Sequence, residues 1–171
     1  RDSLRLVGSE MCIRDRVRRA MHSFIVDNPL NTVDFAKEVQ PHLFCSVPRI
    51  YEKIYSNFIA AIESKAVLRF GLNIPILSGI FKKKLKEAAG FGDLKFAISG
   101  AAPINPDILA LFQKLDIPLF EGYGMTENTA GATLNYFENN KIGSVGKALP
   151  DTEIKIANDG EVMIQGDHVM K

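Results

Sequence analysis

The chain has 171 residues, 46% of them hydrophobic and 24% charged, and 21 basic against 20 acidic residues leave a formal net charge of +1. This excludes wholesale disorder, suffices for one domain with a core, and gives no reason to expect nucleic acid as a partner. Cys12 and Cys45 lack metal-ligand spacing and point to a reducing cytoplasm rather than a secreted disulfide framework, and no apolar run is long enough to span a bilayer.

Residues 1–16 (RDSLRLVGSEMCIRDR) keep no period of 2 or 3.6 and read as a non-native terminal peptide, expected to be poorly packed. With no initiating Met and a strand-like run close to the last residue, the chain reads as an internal fragment of a longer polypeptide.

Residues 23–27 (SFIVD) read as a short strand broken by Asn28-Pro29. Asn31 or Thr32 can cap a short helix to Val39, with Asp34 early in it and Pro41 beyond its end. Residues 42–47 (HLFCSV) read as a buried strand, with Cys45 an inert buried thiol. Pro48 fits the first turn of a longer helix, where Ile50, Ile54, Phe58 and Ile62 recur every four residues as one apolar stripe; Tyr51 and Tyr55 read as core. Gly71, Pro75 and Gly79 predict a bend between two helical pieces over 64–80. Residues 81–89 read as helix carrying Lys82, Lys83, Lys84 and Lys86, a solvated face first and a peripheral membrane contact second.

The second half carries the clearer pattern. Residues 94–99 (LKFAIS) predict a strand, 100–103 (GAAP) a tight loop, and Asn105-Pro106 the start of a helix whose buried face is Ile108, Leu109, Phe112 and Leu115. Residues 117–120 (IPLF) predict the next strand and 121–127 (EGYGMTE) the loop after it. A strand–helix–strand unit of this kind makes the strands parallel with a right-handed crossover. Both glycine-bearing loops then lie at the carboxyl edge of the sheet, where open α/β sheets bind ligands. From Gly143 onward the sequence predicts an antiparallel β meander, with residues 152–157 and 161–165 joined at Asn158-Asp159-Gly160. The fold class is thus α/β: part of a mainly parallel sheet with flanking helices over 17–142, followed by the start of a β subdomain over 143–171.

Residues 123–127 carry the chemistry. Tyr123 offers a flat face to a purine, Gly122 and Gly124 leave room for a ligand against the main chain, Thr126 can donate to a phosphate oxygen, and Glu127 is a hard oxygen ligand suited to Mg²⁺. The same residues also read as a glycine turn whose Glu127 caps a helix. A dinucleotide fingerprint fits worse, because Glu127 stands where the third glycine belongs. Arg49 and Glu52 read as braces of a helix start, Asn128 and Thr129 as a helix cap or the border of an acyl pocket, and His22, His42 and His168 receive no catalytic role.

Three blocks together resemble the adenylate-forming, AMP-binding ligase superfamily: Ser99-Gly100-Ala101-Ala102-Pro103, then Glu121-Gly122-Tyr123-Gly124-Met125-Thr126-Glu127, then Gly143-Ser144-Val145-Gly146-Lys147 through Pro150. Gln40-Pro41-His42 and Val47-Pro48-Arg49-Ile50-Tyr51-Glu52-Lys53 are similar to its long-chain acyl-CoA synthetase branch. The resemblance covers residues 23–171 and implies a fatty-acid–CoA ligase: ATP and a fatty acid give an acyl-adenylate and pyrophosphate, and CoA then displaces AMP. It implies nucleotide contacts at Gly100, Ala101, Ala102, Pro103, Glu121, Gly122, Tyr123, Gly124 and Thr126, with Mg²⁺ on Glu127 and Thr126 and Glu127 as the catalytic pair. Small molecules (fatty acid, ATP, CoA) are the implied partners, and the compartment is the cytoplasm, free or at the inner face of the membrane. The family's pyrophosphate-gripping Ser/Thr/Gly loop, ribose-binding Asp and C-terminal catalytic Lys are absent from these residues, so the fragment alone is expected to be inactive. An aryl or medium-chain ligase, or an inactive nucleotide- or lipid-binding fragment, are the alternatives.

Overall fold

The structure is a computed structural model that describes residues 31–64 and 75–170. The expected strand at 23–27 and the segment 1–16 lie outside the described residues. In chain order the main elements are α1 (Thr32–Val39), β1 (Leu43–Ser46), α2 (Pro48–Ser64), α3 (Pro75–Ala88), β2 (Phe96–Ser99), α4 (Pro106–Lys114), β3 (Leu119–Tyr123), β4 (Thr133–Leu134), β5 (Lys147–Ala148), β6 (Glu153–Ile156) and β7 (Val162–Gln165).

Strands β1 to β5 form one mixed sheet in sequence order. β1, β2 and β3 run parallel, with Leu43 opposite Phe96 and Ala97 opposite Leu119, and β4 and β5 add antiparallel. The crossover between β2 and β3 is α4, as the sequence predicts. Asn105 caps it by accepting from the Asp107 N–H at 2.9 Å, Pro106 occupies its first turn, and Ile108, Leu109, Phe112 and Leu115 are buried. β6 and β7 pair antiparallel as a separate two-stranded sheet, turning through Gly160 at φ 91°. This hairpin begins at Glu153, whereas Lys147–Ala148 is still a strand of the main sheet.

The helices cover one face of the sheet. Strand side chains alternate, so Phe44, Ala97 and Leu119 meet Ile54, Phe58, Phe91 and Phe112 in one apolar cluster. Tyr51 ties this layer together. It is fully buried, and its hydroxyl lies 2.9 Å from the carbonyl oxygens of both Phe44 and Ile98, fastening α2 to β1 and β2. Burial, with Cys45 as a lesser cause, raises its pKa well above the ordinary phenol value. On the opposite face Phe96 stacks on Phe120 at 5.0 Å between ring centroids, and the exposed rings of Tyr136 and Phe137 lie over the pair.

Several local expectations change. Asn31 stands at the start of α1 but its side chain makes no capping bond. β1 is not a buried strand: it lies at one end of the sheet's strand order, Leu43 is 47% exposed, and Cys45 is exposed rather than buried. The alternation turns both residues away from the helices, which explains the miss. α3 begins at Pro75 and continues through Gly79 as one helix, so neither residue separates two helical pieces, and Gly71 lies outside the described residues. Of its lysines, Lys82 pairs with Asp116 at 2.9 Å, Lys86 donates to the Asp116 carbonyl, and Lys83 faces Glu87 at 3.9 Å. Among the described residues no helix is long and apolar enough to cross a membrane.

Candidate nucleotide site

β2 ends at Ser99 and β3 at Tyr123, and the two strands are parallel neighbours with Ser99 opposite Glu121. The segments that follow them therefore leave the same edge of the sheet. A methyl group built on Gly100 would lie 3.6 Å from the Gly122 carbonyl oxygen, in ordinary contact, so the main chains of the two blocks run side by side. The third block closes on the second. Gly122 pairs with Leu134 on β4, and a Cβ at Gly146 would strike the Leu134 backbone at 2.1 Å. Gly146 also has φ 83°, so two independent constraints select glycine there. The structure brings together all three blocks that carry the sequence signature.

Within the first block Ala101, Ala102 and Pro103 are exposed, and Ala101 adopts a left-handed φ of 70°. Non-glycine residues in that region are strained by on the order of 1 kcal/mol or more and concentrate at functional sites. In the second block the strand runs further than the sequence suggests: Glu121, Gly122 and Tyr123 belong to β3, because β4 pairs with Gly122 and Tyr123. Tyr123 is half-buried, and among the described residues its ring has no aromatic neighbour. Gly124 serves the protein's own backbone: a Cβ there would lie 2.4 Å from the Ala130 carbonyl oxygen. The room beside it is taken up by the returning chain. Thr126 and Glu127 are exposed on a 3₁₀ turn, Thr126–Asn128.

That turn is braced from within. Asn128 is buried, and its Oδ1 accepts from the Met125 N–H at 2.9 Å, the capping role that its sequence position allows. Ala130 N–H donates to the Met125 carbonyl and Ala132 N–H to the Tyr123 carbonyl, both at 2.9 Å. Thr129 and Ala130 take left-handed φ values of 64° and 70° to close the loop. The sequence gives no sign of a further brace from 166–170. The Met170 N–H donates to the Glu127 carbonyl at 2.7 Å, and the Thr129 hydroxyl donates to the His168 carbonyl at 2.5 Å.

Among the described residues three buried side-chain polar atoms lack a protein partner: Ser99 Oγ, Asn128 Nδ2 and His168 Nε2. Asn128 and His168 lie on the turn and its strap, and Ser99 lies at the end of β2 on the helix-covered face, opposite Glu121. Such atoms are uncommon in folded proteins and each calls for a reason. The Glu127 carboxylate is exposed, with no hydrogen bond or ion pair among the described residues. No group of three or more His, Cys, Asp or Glu side chains able to hold a metal occurs there. A lone exposed carboxylate suits Mg²⁺, which takes one or two carboxylates and completes its shell with phosphate oxygens and water.

A family model described as AMP-binding enzyme matches residues 6–171, starting inside the segment 1–16. The chain is 33% identical over 162 residues to a Mycobacterium tuberculosis protein named fatty-acid–CoA ligase fadD11, covering 78% of this chain and 28% of that protein. It is 31% identical over 152 residues to long chain acyl-CoA synthetase 7, peroxisomal, of Arabidopsis thaliana, covering 78% of this chain and 21% of that one. The chain thus spans less than a third of the length of these relatives. Among solved structures, the anthranilate CoA ligase AuaEII in complex with anthranoyl-AMP superposes with a TM-score of 0.56 at 16% identity, over 82% of this chain and 24% of that one. A Mycobacterium tuberculosis fatty acyl CoA synthetase gives 0.54 at 22% identity, over 84% and 26%. At these identities the structural likeness speaks for the fold.

Proposed function

The chain belongs to the AMP-binding enzyme family, and from that premise we propose that it is a segment of an ATP-dependent fatty-acid–CoA ligase of the long-chain branch. In the reaction a fatty-acid carboxylate attacks the α-phosphorus of ATP, forming acyl-adenylate and expelling pyrophosphate. The thiol of CoA then attacks the acyl carbon, forming the thioester and releasing AMP. The observation that carries this reading is the juxtaposition of the loop at 100–104 with Tyr123 and the turn Thr126–Asn128 at the carboxyl edge of parallel strands.

In this reading the main chain of Gly100, Ala101, Ala102 and Pro103 and that of Gly122 border the adenosine, with Tyr123 stacked on the base. Stacking of that kind is worth about 1–3 kcal/mol. Thr126 donates its hydroxyl to a phosphate oxygen, and Glu127 holds Mg²⁺. When bound, the metal supplies charge stabilisation to the phosphate oxygens. Gly124 contributes indirectly, by letting the 125–130 loop fold back so that Thr126 and Glu127 project outward. The name of the Arabidopsis relative supports the long-chain assignment, and that of the Mycobacterium relative supports a fatty acid as the substrate. Residues 17–142, together with the Lys147–Ala148 strand that still pairs in the main sheet, would then be part of the nucleotide-binding domain, and the β subdomain would begin at the β6–β7 hairpin. The compartment implied is the cytoplasm.

The test is ATP–pyrophosphate exchange by the full-length polypeptide carrying this segment, driven by a panel of long-chain, medium-chain and aryl acids. The proposal requires the highest kcat/KM with long-chain acids. A preference for aryl acids would move the enzyme to another branch, and ATP binding without exchange would mark an inactive nucleotide-binding protein.

A further inference from the structure

Glu121 stands among the residues that sequence resemblance assigns to the nucleotide, yet its side chain is turned inward. The residue is 6% exposed, and its Oε1 accepts from the Ile104 N–H at 3.2 Å. Its register partner Ser99 is fully buried on the same helix-covered face. Ile104 is itself 5% exposed and plugs into the core cluster, directly after the exposed residues 101–103, of which Ala101 is left-handed. The carboxylate therefore reaches from β3 to the far end of that loop, across the gap that separates the two ligand-facing segments.

The fastenings of this loop are sparse. At its start the Gly100 N–H donates to the Ser46 carbonyl at a long 3.4 Å, Pro103 has no N–H to give, and Asn105 spends its side chain on capping α4. Among the described residues, the bond from Ile104 to Glu121 is the side-chain bond that ties the loop to the strand carrying Tyr123.

We propose that Glu121 is a positioning residue: it clamps the 100–104 loop to β3 at Ile104 and so fixes the spacing between that loop and Tyr123. The inference rests on the reading of this edge as the nucleotide site. It assigns Glu121 a role through Ile104 and the loop, not through contact with nucleotide or metal. The function requires an acceptor oxygen at the end of a side chain of this length. It does not require the negative charge, because a glutamine offers its amide oxygen in the same place.

The experiment compares Glu121→Ala and Glu121→Gln in the full-length ligase, reading KM for ATP and kcat in pyrophosphate exchange together with hydrogen–deuterium exchange at the Ile104 amide. Removing the clamp should raise KM for ATP about tenfold while kcat moves less than about threefold, and it should speed Ile104 exchange about tenfold, in line with the upper end for one ordinary hydrogen bond. Glu121→Gln should return all readouts to within about threefold of wild type. A Gln variant as impaired as the Ala variant would overturn the proposal, since charge and hence ligand or metal contact would then matter. So would an Ala variant with unchanged Ile104 exchange. If the unaltered ligase shows no pyrophosphate exchange with any acid, the functional reading fails, and the Ile104 amide still reports on the clamp. Should Glu121→Ala not fold, the Gln variant alone decides, because a charge-dependent role predicts its loss of activity.

Discussion

The two loops that leave the parallel strands are held in opposite ways. The loop after β3 is braced internally, by the Asn128 cap on Met125, by backbone bonds from Ala130 and Ala132, and by the strap from Met170. The loop after β2 has almost no bracing of its own and leans on a carboxylate borrowed from the neighbouring strand. The difference follows from what each presents. In the proposed reading Thr126 and Glu127 hold side chains at fixed points, and a stiff turn does that. The 100–104 loop offers mainly its main chain, with Ala101 held in a left-handed conformation, and needs only to be set at the right height.

The sharpest way to break this contrast is Gly124→Ala. The added methyl would collide with the Ala130 carbonyl, and no flexible side chain is there to yield. A loss of about 3 kcal/mol in stability is expected, the upper end for overpacking, read from denaturant midpoints of the full-length polypeptide. A loss under about 0.5 kcal/mol would show that the turn is not tightly folded.

Asn128→Ala should cost less, about 1–2 kcal/mol, by leaving the Met125 N–H without its acceptor. The same variant should speed amide exchange at Met125 while leaving Ile104 unchanged, because the two loops are fastened independently. Equal acceleration at both amides would contradict the comparison drawn above.

Much of this architecture was legible in the sequence where the signal is local. The Asn105-Pro106 start of α4, its apolar face and the Asn158-Asp159-Gly160 hairpin depend on neighbours within a few residues, and the structure has each of them. The adjacency of the two loops followed from the strand–helix–strand pattern, which makes β2 and β3 parallel neighbours. What the sequence did not reveal is tertiary. Nothing in a linear reading says that the space beside Gly124 belongs to Ala130, that Glu121 turns inward to Ile104, or that residues 168–170 strap the 126–129 turn. A strand over 42–47 was readable, but not that helices cover only one of its faces, and Cys45 lies on the uncovered one.

The central claim is that Glu127 holds the metal of an adenylate-forming site. It is tested most directly by pyrophosphate exchange in the full-length ligase and its Glu127→Gln variant across a Mg²⁺ titration. The exposed carboxylate bears no structural bond among the described residues, so the variant should keep the parent's stability. Its exchange rate should fall by on the order of a hundredfold or more at limiting Mg²⁺, the scale for losing one element of transition-state charge stabilisation. Equal exchange by the two proteins at every Mg²⁺ concentration would contradict the account.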